Sequence, residues 1–189
     1  AHLQNVKSAL PYATTPKTTT SSTSSSSDEE LILNPIIDLS GWQLPQDIDY
    51  DVLSNHISGA IIRVFGGSQI SKDSNAASSN GVDKSFKTHI KELKKRDVPV
   101  AVYSYAQGTS VKEMKEEARI FYKNASPYKP TYYWIDVEEE TMSNMEQGVQ
   151  AFLAELKRLG AEKVGLYIGA YFMLEQEVST KNFDAVWIP

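Results

Sequence analysis

No cysteine occurs among the 189 residues, so neither a disulfide framework nor thiolate chemistry is open to this chain. No run approaches the ~18 consecutive apolar residues that a bilayer-spanning helix needs. The N-terminus lacks the basic-then-apolar layout of a signal peptide, which puts any export signal or anchor upstream of Ala1. Histidine is scarce: His2, His56 and His89 fall in the N-terminal tail, in a short polar stretch and on a helical pattern. They have no metal-ligand spacing, so no metal and no cofactor is expected. Positive charge is also short. With a formal net charge of −5, the chain is not expected to bind nucleic acid, a task carried by clustered Lys and Arg. The one basic cluster, Lys91, Lys94, Lys95 and Arg96, reads as the wet face of a helix. There is no Walker motif, and Gly66-Gly67 lacks the rest of a dinucleotide fingerprint and reads as a turn at a strand end.

What is present divides in two. Residues 13–27 are almost all Ser and Thr, too poor in apolar side chains to offset the entropy of ordering a backbone. Residues 1–33 therefore read as a disordered linker of the kind that holds a domain away from an anchor or a wall-binding module. Residues 34–189 read as one folded domain; a composition of 41% hydrophobic residues is enough to bury a core.

Within that domain, short β-branched runs at 36–41, 60–65, 98–106, 132–138, 163–169 and 185–188 alternate with amphipathic stretches. Phe86, Ile90 and Leu93 fall at helical spacing, as do Val111, Met114, Ala118 and Phe121, and then Met145, Val149, Phe152, Leu156 and Leu159. Gly160 is placed to stop the last of these helices. Strands alternating with helices imply a parallel sheet covered by helices.

Parity within the strands is more informative. One alternating set is aliphatic: Ile37 and Leu39, Ile62 and Val64, Val100 and Val102, Ile135 and Val137, Leu166 and Ile168, Val186 and Ile188. These positions suit packing against helices. The opposite set carries Asp38 and Ser40, Arg63 and Phe65, Tyr103 and Tyr105, Trp134, Asp136 and Glu138, Gly165, Tyr167 and Gly169, and Trp187. Carboxylates, aromatics and glycines on one face of a βα pattern read as the lining of an α/β barrel, with the later residues of each strand at its C-terminal mouth.

Asp136 and Glu138 stand two apart on one strand, so their side chains share a direction and their Cα atoms lie roughly 6.5 to 7 Å apart. Close like charges raise the pKa of at least one of them, and an aromatic wall such as Trp134 raises it further, which keeps a carboxylic acid protonated for donation to a leaving oxygen. Paired acids of this kind are the apparatus of glycoside hydrolysis, and Asp38 sits at the matching end of the first strand. Tyr103, Tyr105, Tyr167, Tyr171 and Trp187 supply faces for stacking on pyranose rings and edges for bonding hydroxyls. Arg63 belongs to the same lining and is a candidate substrate contact.

The segments IIDLSGWQ (36–43), GAIIRVFGG (59–67), VPVAVYSYA (98–106), YYWIDVEE (132–139), VGLYIGAY (164–171) and the final VWIP resemble, in order, the glycoside hydrolase family 25 lysozymes. The resemblance implies an irregular TIM-type β/α barrel, without metal, that cleaves the β-1,4 bond between N-acetylmuramic acid and N-acetylglucosamine in peptidoglycan glycan strands. It implies a bacterial extracellular or cell-wall-associated enzyme. By resemblance, Glu138 is the general acid, Asp136 its companion carboxylate and Asp38 the first-strand aspartate of the groove, while Tyr103 and Tyr167 line it. Family members continue past the strand ending in Trp187-Ile188-Pro189 with two further strand segments, so about six of the eight barrel strands are expected here. Two other readings remain: a chitinase-like glycosidase, whose Asp-x-Asp-x-Glu pattern is broken here by Trp134, and a wall-binding module that keeps the groove without catalysis.

Overall fold

A computed structural model describes residues 34–66 and 76–189; the Ser/Thr-rich tail and Gly67 lie outside the described residues. The strands β1 (Ile36–Leu39), β2 (Gly59–Phe65), β3 (Val100–Tyr105), β4 (Tyr133–Val137), β5 (Val164–Ile168) and β6 (Ala185–Trp187) form one sheet in sequential order. Every neighbouring pair is parallel. The crossovers carry α1 (Tyr50–Ser54), α2 (Phe86–Lys94), α3 (Val111–Ala125), α4 (Met145–Leu159) and α5 (Ala170–Glu175). The sheet curls into half of a β/α barrel, with β1 and β6 as its two ends.

The long helices start and stop where the sequence marks them. Ser110 accepts from the Glu113 amide at the head of α3, and Asn144 accepts from the Gln147 amide at the head of α4, each satisfying an otherwise orphaned donor. Gly160 ends α4 at φ 111°, a left-handed conformation that only glycine adopts cheaply. The short helices α1 and α5 carry no periodic signal because one or two turns are too few to establish one. Asp49 nonetheless caps α1 by accepting from the Asp51 and Val52 amides.

The two faces of the sheet differ in kind. Ile62, Val64, Val102, Ile135, Val137, Leu166 and Ile168 pack outward against Phe86, Ile90, Leu93, Met114, Phe121, Phe152 and Leu156 of the helices, and all of these are essentially inaccessible to water. Fully burying one such side chain contributes about 1.5–3 kcal/mol relative to leaving it exposed. The inner face holds a smaller cluster of Ile61, Ala101, Tyr132 and Trp134, flanked by Ile36, Tyr103, Ala185 and Trp187.

One residue departs from the strand parity. Phe65, expected in the lining, packs with Val64 in the helix-side core. The register of β2 on β3 shifts between Arg63, which faces Tyr103, and Phe65, which faces Ser104. An extra residue in one strand reverses which side the next residue faces, and nothing in the local pattern announces it.

Candidate active site

The C-terminal ends of the strands bring Asp38, Tyr103, Trp134, Asp136, Glu138, Tyr167 and Trp187 around one cavity of about 200 Å³, closed below by Ile61 and bordered by Pro189. The wall is built by aromatic edge-to-face contacts. Trp187 meets Tyr167 at 5.0 Å between ring centroids and Trp134 at 6.3 Å, both nearly perpendicular, while Tyr132 stacks beneath Trp134 at 5.8 Å. Gly165 makes that packing possible: a Cβ there would lie 2.4 Å from Cε3 of Trp134, so the indole lies across a strand that has no side chain at this point.

The acids are not equivalent. Asp136 is 8% exposed, one of its carboxylate oxygens has no hydrogen-bond partner, and β3 and β5 flank it through Tyr105 and Tyr167. Burial above all, and then the charge of Glu138, a hydrogen bond with Glu138 and the charge of Asp38, hold its carboxyl well above the usual range, against the opposing pull of Arg63. Glu138 and Asp38 are exposed at the mouth. The sequence left open which of the two acids is shielded; the carboxyl enclosed by its strand neighbours is Asp136. The phenols of Tyr103 and Tyr167 are both pushed upward, chiefly by burial, so each is a hydrogen-bond donor at neutral pH.

Three candidates stand apart from the cavity. Tyr105 does not line it; its hydroxyl donates to Glu139 Oε1 at 2.8 Å, tying β3 to the loop after β4. Thr141 donates to the Gly108 carbonyl at 2.7 Å and Glu117 accepts from the Gln107 amide at 3.1 Å, so that rim of the mouth is stitched at several points. Tyr171 is 85% exposed on α5. It is not among the lining residues because the chain leaves strand geometry at Gly169, which is the N-cap of α5.

Arg63 points inward as its parity requires but is only 5% exposed and is not among the lining residues. Its Nε pairs with Asp83 Oδ2 at 3.0 Å, and Asp83 also accepts from the Gly41 amide at 2.7 Å and the Ser85 amide at 2.8 Å. Asp83, Glu139 and Ile61 were not singled out by the sequence. Asp83 and Glu139 lie in loops without period, and Ile61 looks like any other strand aliphatic. Among the described residues no group of three or more His, Asp and Glu side chains is placed to hold a metal ion.

A parallel β/α barrel wall with an aromatic cavity and paired carboxylates at its C-terminal end is the layout of a glycoside hydrolase. The family model for glycosyl hydrolases family 25 matches residues 37–189, and the chain belongs to that family. GHIP of Streptococcus pneumoniae, a family 25 glycosyl hydrolase and virulence factor participating in host cell invasion, is 56% identical in sequence and superposes with a TM-score of 0.81. The match covers 84% of this chain and 69% of GHIP. The catalytic domain of the endolysin ply40, from a Listeria monocytogenes bacteriophage, is 23% identical with a TM-score of 0.65, covering 79% of this chain and 69% of that one. The pneumococcal phage endolysin Cpl-1, solved with a peptidoglycan analogue, is 18% identical with a TM-score of 0.59, covering 81% of this chain and 42% of that one. At these lower identities the likeness is one of fold. No curated protein matches the chain.

Proposed function

We propose that the chain cleaves the β-1,4 bond between N-acetylmuramic acid and N-acetylglucosamine in peptidoglycan, with Glu138, Asp136 and Asp38 as its acid machinery, and that it acts outside the cell on bacterial walls. The observation that carries this reading is a buried carboxyl, Asp136, and an exposed one, Glu138, lining the same aromatic-walled cavity. Membership of family 25 supports the glycosidic chemistry, and the peptidoglycan analogue bound by Cpl-1 supports the substrate class.

In this mechanism Asp136 stores the proton, because burial disfavours its anion. Glu138 is the carboxyl at the open mouth and the one within reach of a bound glycan. It takes up that proton from Asp136 and passes it to the glycosidic oxygen as the bond breaks; water then adds to the anomeric carbon and its proton returns to the emptied carboxylates. Asp38, an anion on the opposite wall, favours the positive charge that develops on the sugar ring. The faces of Tyr103, Tyr167 and Trp187 hold the ring, and their polar edges orient its hydroxyls. Tyr105 acts indirectly, by fixing the loop that follows Glu138.

Glu138→Gln tests the assignment. Release of reducing sugar from purified cell walls is expected to fall on the order of 10²–10⁴-fold, the worth of a positioned general acid, while the melting temperature stays put because the side chain is exposed. Undiminished release would remove Glu138 from its role. Chitin assayed beside peptidoglycan separates this reading from a chitinase. Binding to insoluble walls without any release would point instead to a non-catalytic wall-binding module.

A further inference from the structure

Two buried side-chain atoms in the barrel interior lack hydrogen-bond partners and belong to residues of opposite charge: Nη2 of Arg63 and Oδ1 of Asp136. The two residues come from β2 and β4, and Tyr103 on the strand between them feels the charge of both. A buried polar group left unsatisfied costs about 1–3 kcal/mol, more when charged. A buried ion pair such as Arg63 with Asp83 is in itself weak support for stability. This arrangement is therefore a poor way to hold a sheet together, and its geometry serves another end.

Asp83 does not merely neutralise Arg63. Its carboxylate is fixed by the amides of Gly41, just after β1, and of Ser85, just before α2, so it clamps the guanidinium through Nε and leaves Nη2 uncommitted. The charged and titratable groups on the same face of the sheet as Asp136 are Asp38 from β1, Arg63 from β2, Tyr103 and Tyr105 from β3, Glu138 beyond β4 and Tyr167 from β5. Among these described residues Arg63 is the cation. Its charge is permanent at any working pH.

We propose that Arg63, clamped by Asp83, is a positioning residue of the acid cluster: its guanidinium offsets the negative charge of Asp38, Asp136 and Glu138 and so sets the pH range over which the Asp136–Glu138 pair carries the proton used in catalysis. The role rests on the reading of that pair as the acid machinery. It accounts for a buried cation that sits behind the cavity and does not line it, because such a cation acts on the substrate only through Asp136. Removing the guanidinium leaves the acids unopposed and strengthens their hold on protons. Neutralising Asp83 leaves the guanidinium unopposed and weakens it. The two changes therefore move the same quantity in opposite directions, which general damage to the fold does not do.

The test is a carbon-13 carboxyl NMR titration of Asp136 in the parent protein, Arg63→Met, Arg63→Lys and Asp83→Asn, run beside pH profiles of wall hydrolysis. Arg63→Met is expected to raise the Asp136 midpoint by about one pH unit or more, the size of effect an adjacent opposite charge exerts, and to carry both limbs of the activity profile upward with it. Arg63→Lys, which keeps the charge and loses the planar fork, should move the midpoint by less. Asp83→Asn should lower it. A midpoint that does not fall in Asp83→Asn overturns the proposal even if Arg63→Met proves too unstable to titrate, and so does an unmoved midpoint in a folded Arg63→Met. If the midpoints shift as expected while the parent releases no sugar from walls, the electrostatic role stands and the assigned activity fails.

Discussion

The two faces of the same six strands solve different problems. The outer face is almost wholly aliphatic and covered by helices, with the buried hydroxyl of Ser104 as its polar exception. The inner face mixes aromatics with carboxylates, keeps two unpartnered charged atoms, and opens into a cavity. One face stores the stability, and the other spends some of it on a site that would be more comfortable without Asp136. Because side chains alternate along a strand, the two properties can be varied almost independently.

That independence can be broken at defined positions. The largest expected effect on stability is on the helix side: Phe152→Ala, at a residue with no exposed surface, should cost about 3–5 kcal/mol in urea unfolding while leaving the activity per folded molecule intact. Gly165→Ala crosses the divide, because the new methyl must displace the Trp134 ring. Overpacking of this kind costs about 1–3 kcal/mol, and tilting the indole should raise KM more than it lowers kcat.

Asp136→Asn should act with the opposite sign. A carboxyl whose folded pKa is raised contributes stability that is fully present below its unfolded pKa and is lost as pH rises through the folded value. Removing the ionisable group should therefore stabilise the protein by about 0.5–2 kcal/mol, the size common for a single stabilising substitution. The gain should grow from acid to alkaline pH in thermal melts, and a gain independent of pH would contradict the burial of this proton. Smallest of all, Tyr105→Phe deletes one exposed hydrogen bond to Glu139 worth about 0.5–1.5 kcal/mol. It should show more clearly as a fall in kcat than as a change in melting temperature.

The sequence made the sheet order, the three long helices and the acid pair legible, because each rests on a local period of two or of 3.6 residues. It did not reveal what depends on a single inserted residue or on a loop. The shift between Arg63 and Phe65 turns Phe65 from lining to core, and alternation alone has no sign of it. Tyr171 looked like a lining aromatic until the chain turned into α5 at Gly169. Asp83 sits 20 positions from the arginine it holds in a stretch with no recurring pattern. Which of Asp136 and Glu138 is enclosed and which is open to solvent is likewise not encoded by their spacing.

Placing Asp136 and Glu138 on or directly after one strand has a mechanical consequence. Two groups carried by a single extended segment keep their separation when the sheet flexes, since bending and twisting occur mainly between strands. Asp38, with β2 and β3 intervening, rides on a different part of the curl. Relative movement of the strands would then alter the distance across the groove more than the separation of the two acids.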